Sequence, residues 1–364
     1  MILGIDGSNI KSDGGIVHLS ELINNINKIN QKKISKIIIW GDLNLLSNIK
    51  NSSILNKIRL DNISRNLFVR FYWQYFIFPR ELVKKRCDIA LIPGGIFFNK
   101  KIKTVSIFQN ILPFISKDIQ KYGILERIKL YTQKKLYIHS FNNSDGLIFL
   151  SKFSKKVLKK FVNINKKKNV IIPHGVSSNF KFTQSAQNKT LKLLYISKID
   201  FYKNHLILLE ALSLLSRERK VILSLVGNHE KKFKNILVKK VKELNLQKKV
   251  KFYGRINYKK LPKVYSGHDL KLYASGSETF GMTMLESIKC GLPVLAINNE
   301  ISKEILKHSG YYCGDNPIVI KNKIKKIFEN KKHLKQKIKN GLILANKFTW
   351  QKTSLKTLLF LSKI

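Results

Sequence analysis

The sequence contains little cysteine. Its three cysteines, Cys87, Cys290 and Cys313, are far apart along 364 residues and lack the short spacings of a metal site. An odd number of distant cysteines does not make the disulfide framework of a secreted protein, and it is typical of reduced thiols in a reducing compartment. We interpret Cys290 as a residue of the hydrophobic core.

Long hydrophobic runs are also missing. No stretch approaches the run of about 18 or more apolar residues that a membrane-spanning helix needs. The first residues, Met1–Gly7, have neither the basic start nor the long apolar segment of a secretory signal. The sequence therefore predicts a cytoplasmic protein.

Acidic residues and arginine are scarce. The chain has 69 Lys and Arg against 22 Asp and Glu, a net charge of +47, and only 9 of those cations are Arg. Lys, Asn and Ile share AT-rich codons, so a compositional bias of the genome explains much of the excess. Arginine is the better side chain for forked hydrogen bonds to phosphates and bases, so its scarcity disfavours nucleic acid as a partner. The charge still favours phosphorylated ligands and attraction to an anionic membrane surface.

Several ligand sites have no signature in the sequence. The ten Asp residues include no Asp-x-Asp pair to hold a divalent cation. A Walker phosphate loop is absent, and no paired His and Cys cluster indicates zinc. We therefore expect neither a metal ion nor a resident cofactor.

The length and the pattern of apolar residues predict two α/β domains. A chain of 364 residues exceeds what one hydrophobic core usually organises. Short β-rich runs alternate with longer helical patterns, which is typical of a parallel sheet covered by helices. In the first half, the predicted strands are Ile2–Asp6, Ile37–Trp40, Ile89–Ile92, Thr104–Phe108 and Gly146–Leu150. The predicted helices there are His18–Asn30, Leu67–Arg86 and Gly123–His139.

The alternation starts again after a stretch of weak periodicity, Ser177–Thr190, which predicts a linker. The later predicted strands are Leu191–Ser197, Val221–Val226, Val250–Tyr253, Leu270–Tyr273 and Val294–Ile297. The later predicted helices are Asn204–Ser216, Lys231–Asn245, Leu261–Tyr265 and Met282–Cys290. We predict an N-terminal domain over 1–173, a linker over 174–190 and a C-terminal domain over 191–345. We also predict a final helix in 346–364. Its domain is left open between the two, and packing against the N-terminal domain is one alternative.

The most informative stretch, residues 274–296, reads ASGSETFGMTMLESIKCGLPVLA. A strand ends at Tyr273, a loop of small residues follows, and a helix starts near Gly281 or Met282. Such a loop places the N–H groups of Phe280, Gly281 and Met282 at a helix N-terminus, which favours binding of a phosphate. A glycine at position 281 lets the ligand approach the backbone closely.

Two glutamates, Glu278 and Glu286, accompany this predicted anion site, with seven residues between them. A carboxylate suits such a place if it accepts hydrogen bonds from hydroxyl groups, which sugars and ribose present. The alternative is that Glu278 caps the helix and Glu286 is an ordinary solvated residue. The apolar neighbours Leu285 and Ile288 disfavour that alternative for Glu286, because an idle carboxylate is costly among apolar side chains.

This segment resembles the Glu-x7-Glu signature of glycosyltransferase family 4, the large retaining family with the GT-B fold. Other matches follow in the family's order: Ile172–Val176 with His174 in place of Asn, Tyr195–Asn204, Val226–Asn228 and Val250–Arg255. The resemblance covers residues 170–300 strongly and residues 1–20 moderately. It implies two doubly wound, Rossmann-like α/β domains that face a central cleft, with ligands at the carboxyl ends of the strands.

The resemblance implies roles for four charged residues. Lys198 and Lys203 would neutralise the donor diphosphate, Glu286 would accept hydrogen bonds from the ribose, and Glu278 would accept them from the transferred sugar. We therefore expect Glu278, Lys203 and Lys198 to take part in catalysis. Lys198 stands where the family usually has Arg, so a point charge replaces a bidentate contact. The alternative for both lysines is a solvated loop.

Further donor contacts follow from the same resemblance. The backbone around Gly254 and Arg255 would flank the base of the donor. Gly14 and Gly15 resemble the family's Gly-Gly loop, where the chain turns into the first long helix, so their N–H groups would meet the diphosphate. His18, one turn into that helix, is a candidate for contact with the acceptor, and a satisfied histidine of the helix face is the alternative.

Gln109 and Asn110 are the other candidates on the acceptor side. They follow the predicted strand Thr104–Phe108, where many relatives have His-Asp. Amides hydrogen-bond hydroxyl groups but do not titrate, so we expect no histidine acid or base at this position. That agrees with a front-face retaining mechanism, in which the leaving phosphate accepts the proton of the acceptor.

The sequence thus predicts a metal-independent retaining glycosyltransferase. It would move a sugar from a nucleotide-diphosphate sugar to a saccharide or lipid-linked acceptor, in surface polysaccharide or lipopolysaccharide synthesis, in the cytoplasm or at the inner face of the cell membrane. The missing Asp-x-Asp pair disfavours a metal-dependent GT-A enzyme. We find no base set or pyridoxal lysine for epimerisation or phosphorolysis. A degenerate nucleotide-sugar-binding protein of the same fold stays open, because Gln109 and Lys198 depart from the family's pattern.

Overall fold

The structure is a computed structural model that describes residues 1–29, 34–61, 67–98, 101–183 and 189–364. The chain divides into two compact units. Unit 1 contains residues 1–119, 123–175 and 348–364, and unit 2 contains residues 120–122 and 176–347. Residues 184–188 of the predicted linker and Asn30 of the first predicted helix lie outside the described residues.

Unit 1 is built on a sheet of seven parallel strands. They are β1 (Ile2–Asp6), β2 (Lys36–Gly41), β3 (Leu55–Arg59), β4 (Ile89–Ile92), β5 (Lys103–Phe108), β6 (Gly146–Phe149) and β7 (Lys168–Ile171). Their order in the sheet is β3-β2-β1-β4-β5-β6-β7. In the central strand β1, Ile5 lies opposite Ile39 of β2 and Leu91 of β4. These strands read as continuous apolar runs because helices cover both faces of a parallel sheet.

Eight α-helices belong to unit 1 among its described residues. They are α1 (Asp13–Ile26), α2 (Leu43–Leu46), α3 (Leu67–Tyr72), α4 (Phe78–Lys84), α5 (Ser116–Ile119), α6 (Ile124–Asn143), α7 (Lys152–Leu158) and α15 (Trp350–Leu361). A π-helical turn, Trp73–Ile77, joins α3 to α4. The predicted helix Leu67–Arg86 is therefore a helical segment with a π-helical turn in its middle.

The C-terminal helix α15 packs inside unit 1 against α1. Trp350 is 2% exposed, and the Ser354 Oγ donates a hydrogen bond to the Leu22 carbonyl at 3.0 Å. Helix α1 presents an apolar face to the interior, with Leu19 and Leu22 fully buried. Burial of that face against the sheet and α15 removes apolar area from water, which is the main stabilising contribution.

Unit 2 is built on a sheet of six parallel strands. They are β8 (Leu191–Ile196), β9 (Val221–Val226), β10 (Val250–Gly254), β11 (Leu270–Tyr273), β12 (Val294–Ile297) and β13 (Tyr311–Cys313). Their order is β10-β9-β8-β11-β12-β13, so the chain direction across the sheet reverses between β8 and β11. In doubly wound sheets, ligands bind at the carboxyl ends of the strands at this switch point.

Helices cover the sheet of unit 2. They are α8 (His205–Leu215), α9 (Lys231–Glu243), α10 (Leu261–Ser266), α11 (Met282–Lys289), α12 (Glu300–Leu306), α13 (Pro317–Glu329) and α14 (Lys331–Ala345). Each unit is therefore a doubly wound α/β domain, which confirms the predicted fold class. Every predicted strand is present within one residue of its predicted ends, whereas β3, β7 and β13 were not predicted.

The three cysteines are free thiols in the interior of the protein. Cys290 is 1% exposed, which confirms its predicted place in the core. Burial raises the pKa of its thiol to about 12. Within the part of the chain that the structure describes, no helix has both the length and the apolar character needed to cross a bilayer.

Candidate functional site

Two loops meet at the switch point of unit 2, one after β8 and one after β11. The Asn204 side chain donates to the Ala274 carbonyl at 2.7 Å, and the Gly276 N–H donates to the Tyr202 carbonyl at 2.9 Å. Asn204 adopts the left-handed conformation with φ of 54°, which Asn tolerates better than most residues. These bonds fix the two loops to each other before any ligand binds.

An ion pair between Lys203 and Glu278 lies where these loops join. The Lys203 Nζ contacts the Glu278 Oε1, and the Ser275 Oγ donates to the same oxygen at 2.9 Å. Lys203 is 8% exposed, and its carbonyl accepts a hydrogen bond from the Tyr195 Oη at 2.6 Å. Burial lowers the pKa of Lys203, but the Glu278 carboxylate together with Tyr202 and Tyr195 raises it more, so the pKa lies above its usual value. Lys203 is therefore a fixed cation at neutral pH.

Lys198 lies on the same loop but has other partners. Its Nζ is 2.9 Å from the Glu230 Oε1 and 3.4 Å from the Asp200 Oδ2, and its side chain is 44% exposed. Burial lowers the pKa of Lys198, but the hydrogen bond to Glu230 and the charges of Asp200 and Glu230 together raise it more, so the pKa lies above its usual value. Both Lys198 and Lys203 act electrostatically on Tyr202, so the structure brings the two predicted cations near one ring. Lys198 is thus paired with two carboxylates, whereas Lys203 is paired with Glu278.

The helix that follows Glu278 begins with a glycine that cannot be replaced without strain. Gly281 is the N-cap of α11 in the left-handed conformation, with φ of 80°. A Cβ at this position would lie 2.5 Å from the Tyr273 Oη and 2.6 Å from the Met284 Cε. No side chain caps the helix, so Glu278 is not its cap. The first turn of α11 thus keeps the partial positive charge of a helix N-terminus beside the Lys203–Glu278 pair.

Glu286 is buried inside unit 2 with a second charged residue, Lys271 of β11. Glu286 is 1% exposed, and its Oε2 accepts a hydrogen bond from the Tyr265 Oη at 2.8 Å. Among the described residues, the Glu286 Oε1 and the Lys271 Nζ have no hydrogen-bond partner. Burial raises the pKa of Glu286 and lowers that of Lys271, while their mutual attraction opposes both shifts. Glu286 is therefore not an ordinary solvated helix residue.

Aromatic rings cover Glu286. The Phe180 ring lies 5.3 Å from the Tyr258 ring and 5.8 Å from the Tyr265 ring, between centroids, and Phe180 is fully buried. Glu286 is therefore a buried carboxylate, and its contact with ribose stays a prediction.

The loops after β9 and β10 contain two more glycines with positive φ. The Gly227 N–H donates to the Gly254 carbonyl at 2.8 Å, and φ is 144° at Gly227 and 64° at Gly254. A Cβ at Gly227 would overlap the Ser197 carbonyl, so the loop after β9 passes directly against the loop after β8. Arg255, the predicted neighbour of the base, is exposed next to Gly254.

The glycines of unit 1 lie in the first turn of α1. Ser12 is the N-cap, and its Oγ accepts a hydrogen bond from the Gly15 N–H at 3.1 Å. This amide is therefore already engaged by the cap, which weakens its predicted role at a diphosphate. Gly14 is exposed, and a Cβ there would meet no atom within 4 Å.

His18 is buried within unit 1, at 3% exposure. Its ring lies 4.4 Å from the His174 ring and 5.8 Å from the Trp350 ring, and its Nδ1 contacts the Gln109 Nε2. Burial lowers the pKa of His18 to about 3, so the ring is neutral at physiological pH. The ring does not face solvent, which the predicted contact with an acceptor requires, and the structure favours a satisfied histidine of the interior.

Gln109 and Asn110 follow β5 and are both half-buried. The Asn110 Oδ1 accepts a hydrogen bond from the Leu112 N–H at 3.3 Å, and Asn110 also bonds the Tyr137 side chain. These amides organise the end of β5, and neither provides a titrating group.

Sequence reasoning missed two members of the site in unit 2. Lys271 and Tyr265 are both fully buried, and together they surround the carboxylate of Glu286. The available signal was the single cation in the apolar strand Leu270–Tyr273. In a strand with both faces covered, a lysine is costly unless a charge lies beside it. Among the described residues, no group of three His, Cys, Asp or Glu side chains is placed to hold a metal ion.

The residues of this site lie in a segment that matches a known family. The sequence profile of the glycosyl transferases group 1 covers residues 176–342, which include Lys203, Glu278 and Glu286. The match lies within unit 2, so this unit is similar to that family. The predicted resemblance to GT-B glycosyltransferases is thereby confirmed.

Curated glycosyltransferases are also similar to this chain. The alpha-monoglucosyldiacylglycerol synthase of Streptococcus pneumoniae is 29% identical over 266 residues, which are 65% of this chain and 57% of that enzyme. The O-antigen chain mannosyltransferase B of Escherichia coli is 22% identical over 271 residues, 70% of this chain and 69% of that one. The chain therefore spans less than two thirds of the length of the pneumococcal relative.

The fold of this chain is shared with solved structures. Anabaena HepE, in a complex with UDP and glucose, superposes with a TM-score of 0.76 at 16% sequence identity. The superposition covers 100% of this chain and 99% of that one. At this identity, the likeness shows the GT-B fold alone.

Proposed function

We propose that this protein is a retaining, metal-independent glycosyltransferase that uses a nucleotide-diphosphate sugar. The observation that carries the proposal is the Lys203–Glu278 ion pair at the switch point of unit 2. It places a fixed cation and a hydrogen-bond acceptor beside the N-terminus of α11. A diphosphate needs the cation and the helix N-terminus, and a sugar needs the acceptor.

In the proposed reaction, the bond between the anomeric carbon and the phosphate oxygen breaks, and a bond from that carbon to the acceptor oxygen forms on the same face. The acceptor's hydroxyl proton passes to the departing phosphate. Lys203 and the first turn of α11 offset the negative charge that grows on the diphosphate. Glu278 holds the hydroxyl groups of the sugar. The neutral Gln109 fits a mechanism in which the phosphate itself is the base.

The names of the relatives support a choice of substrates. The pneumococcal relative is named for a glucosylated diacylglycerol, the E. coli relative for the O-antigen chain, and HepE was solved with UDP and glucose. We therefore propose a nucleotide-sugar donor and a saccharide or lipid-linked acceptor, in surface polysaccharide or lipopolysaccharide synthesis. We place the protein in the cytoplasm, at the membrane when the acceptor is a lipid.

Release of nucleoside diphosphate tests the proposal. The protein is incubated with a panel of UDP- and GDP-sugars, a lipid or saccharide acceptor, and a coupled assay for free UDP or GDP. We expect release that falls at least tenfold in Glu278→Gln and stays unchanged in the matched control Glu243→Gln, which is exposed on α9. Donor binding without any release would instead support a degenerate nucleotide-sugar-binding protein of the same fold.

The proposed charge compensation also predicts the response to chelation. Lys203 and the α11 N-terminus provide positive charge at the diphosphate, so turnover should persist in excess EDTA within about twofold. The rate of nucleoside diphosphate release is measured before and after chelation. Complete loss of turnover that Mn²⁺ or Mg²⁺ restores would contradict metal independence.

A further inference from the structure

A short segment from an early part of the sequence, Gln120–Tyr122, belongs to unit 2. Tyr122 is 7% exposed, and its ring meets two other rings of unit 2 edge to face. The centroid distances are 5.4 Å to Phe201 and 6.4 Å to Phe233 of α9, and those two rings are 4.6 Å apart. Aromatic rings favour this edge-to-face arrangement. The segment is therefore anchored within unit 2 by apolar packing.

The Tyr122 hydroxyl adds a hydrogen bond to this packing. Its Oη donates to the Asp200 Oδ1 at 2.5 Å, a short distance that is typical of a bond to an ionised acceptor. The same oxygen accepts the Phe201 N–H at 2.8 Å, because Asp200 is the N-cap of the 3-10 helical turn Phe201–Lys203. The other oxygen, Oδ2, is 3.4 Å from the Lys198 Nζ. Tyr122 therefore orients the carboxylate that caps this turn and that faces Lys198.

Lys121 contacts the other end of the same loop. Its Nζ donates to the Asn204 Oδ1 at 2.8 Å, and the side-chain amide of Asn204 joins the loops after β8 and β11. Between the two ends, the Lys203 N–H donates to the Asp200 carbonyl at 3.1 Å. The segment 120–122 thus bonds the loop 198–204 on both sides of Lys203.

This loop carries both cations that the proposed function places at a diphosphate, Lys198 and Lys203. A loop that is ordered before its ligand arrives loses less conformational entropy on binding. The two bonds from the segment join residues that are 78 and 83 positions apart. The folded unit, and not the local sequence alone, therefore orders the loop.

We propose that Tyr122 is a positioning residue, which orders the loop 198–204 through Asp200 before a donor binds. Lys121 assists it through Asn204. For its effect on donor binding, this inference rests on the proposed function. The order of the loop is a property of the free protein and is measured without any donor.

Hydrogen–deuterium exchange of the full-length protein without ligand tests the order of the loop. The variant Tyr122→Phe keeps the aromatic ring and removes the hydroxyl group. We expect peptides that cover residues 198–206 to exchange at least about fivefold faster in this variant, because the carboxylate that caps the turn loses a charge-assisted hydrogen bond. Exchange is followed by mass spectrometry.

The matched control is Tyr312→Phe. The Tyr312 Oη donates to the Lys307 carbonyl at 2.5 Å, so this variant also loses one hydrogen bond in unit 2, outside the loop. Exchange of residues 198–206 should stay within about twofold of the wild type, because local opening depends on local contacts. Equal acceleration of the loop in both variants would indicate a general loss of stability and overturns the proposal.

Donor binding tests the consequence of this order. Tyr122→Phe should raise the donor KM and the Kd of UDP or GDP at least about fivefold, because the ligand must then order the loop itself. Once the donor is bound, the loop is ordered in both proteins, so kcat should stay within about threefold of the wild type. Saturating nucleoside diphosphate should also return the exchange of residues 198–206 to the wild-type rate.

Two further variants test the route of the effect. In an Asp200→Ala background, Tyr122→Phe should change the Kd by less than about twofold, because its acceptor is gone. Lys121→Met should raise the Kd about threefold, since it loses the bond to Asn204. Its control is Lys337→Met, which loses a bond to the His308 carbonyl elsewhere in unit 2 and should bind as the wild type does.

Unchanged exchange of the loop in Tyr122→Phe overturns the proposal. Faster exchange with a wild-type donor KM also overturns it, and so does a fall in kcat without a change in KM. A wild-type protein that neither binds nor releases a nucleoside diphosphate would contradict the proposed function instead. The exchange measurement without ligand still decides in that case whether Tyr122 orders the loop.

Discussion

Glu278 and Glu286 belong to the same motif, yet their surroundings differ. Glu278 touches the Lys203 cation and the Ser275 hydroxyl at the edge of the site, whereas Glu286 lies in the interior against Tyr265. In the proposed function, this contrast would give them different parts of a bound donor. Glu278 would lie next to the charge that moves in the proposed reaction, whereas Glu286 lies deeper in unit 2.

Replacement of the two glutamates should therefore change different kinetic parameters. Glu278→Gln should lower kcat, because a carboxylate beside the sugar stabilises the positive charge that grows in the transition state. Glu286→Gln should raise the donor KM more than it lowers kcat, the pattern of lost uniform binding. Each loss should amount to about 1–3 kcal/mol. Steady-state kinetics with thermal melts as a folding control decide between the patterns, and wild-type kinetics in both variants would show that the carboxylates are structural.

Lys271 should set the pH range in which Glu286 works. Burial raises the pKa of Glu286, and the Lys271 cation lowers it. Lys271→Met removes that attraction, so the pKa of Glu286 rises. Glu286 is a carboxylate only above its pKa. As the pH falls, the variant should therefore lose donor affinity at a higher pH than the wild type does. The donor KM is measured from pH 5.5 to 8.5.

Glu286→Gln is the control for this pH dependence. It removes the titrating group, so its donor KM should vary little over the same range, and the double variant with Lys271→Met should behave likewise. A Lys271→Met profile that coincides with the wild type would show that Lys271 does not act on Glu286.

Individual site residues could be predicted from the sequence, but their partners could not. The Glu-x7-Glu spacing and the lysines after β8 indicated Lys203, Glu278 and Glu286. The ion pair joins residues 75 positions apart, so only the folded switch point brings them together. Lys198 was predicted as a donor contact, yet Glu230, 32 residues later, pairs with it. Glu286 bonds Tyr265, 21 residues earlier in the chain, which carries no motif.

At the scale of elements, the start of α11 depends on Gly281. A residue with a side chain would be strained by the positive φ and would press its Cβ on Tyr273 and Met284. We expect Gly281→Ala to destabilise unit 2 by about 1–3 kcal/mol and to weaken donor binding at least tenfold. Chemical unfolding and UDP titration provide the two values.

The matched control is Gly14→Ala in the first turn of α1. That position has open space and no positive φ, so the change should be neutral or stabilise by about 0.5–1 kcal/mol. If both alanine variants behave alike, the conformation of Gly281 does not limit the site.

Whether a strand could be predicted from the sequence depended on its place in the sheet. Central strands such as β1, β4 and β11 are continuous apolar runs, and their predicted ends match the structure. The strands that were missed, β3, β7 and β13, all lie at sheet edges. An edge strand pairs on one side only, so it is short or half-polar: β3 reads LNKIR and β13 has three residues. Their apolar pattern is too weak to predict them.

At the scale of the whole molecule, stability should reside in two units that respond separately to mutation. Trp350 lies at 2% exposure in unit 1, although it follows all of unit 2 in sequence. Trp350→Ala should lower the free energy of unfolding of unit 1 by about 3–5 kcal/mol, the usual cost of truncating a buried aromatic side chain. The unit 2 transition should not move.

Calorimetry with donor present assigns the transitions, because donor raises the one that belongs to unit 2. Leu359→Ala on the exposed side of α15, where Leu359 is 39% exposed, is the control and should cost less than about 1 kcal/mol. A shift of both transitions by Trp350→Ala would mean that the units unfold as one.

The return of residues 348–364 to unit 1 imposes an order on synthesis. The ribosome must translate residues 176–347 between the body of unit 1 and its closing helix. At about 5–20 residues per second, this takes about 10–35 s. Throughout that interval, the apolar face of α1 that α15 covers lacks its partner, and it is a surface for chaperones to protect. Unit 2 is therefore complete before unit 1, although unit 1 is the first to leave the exit tunnel.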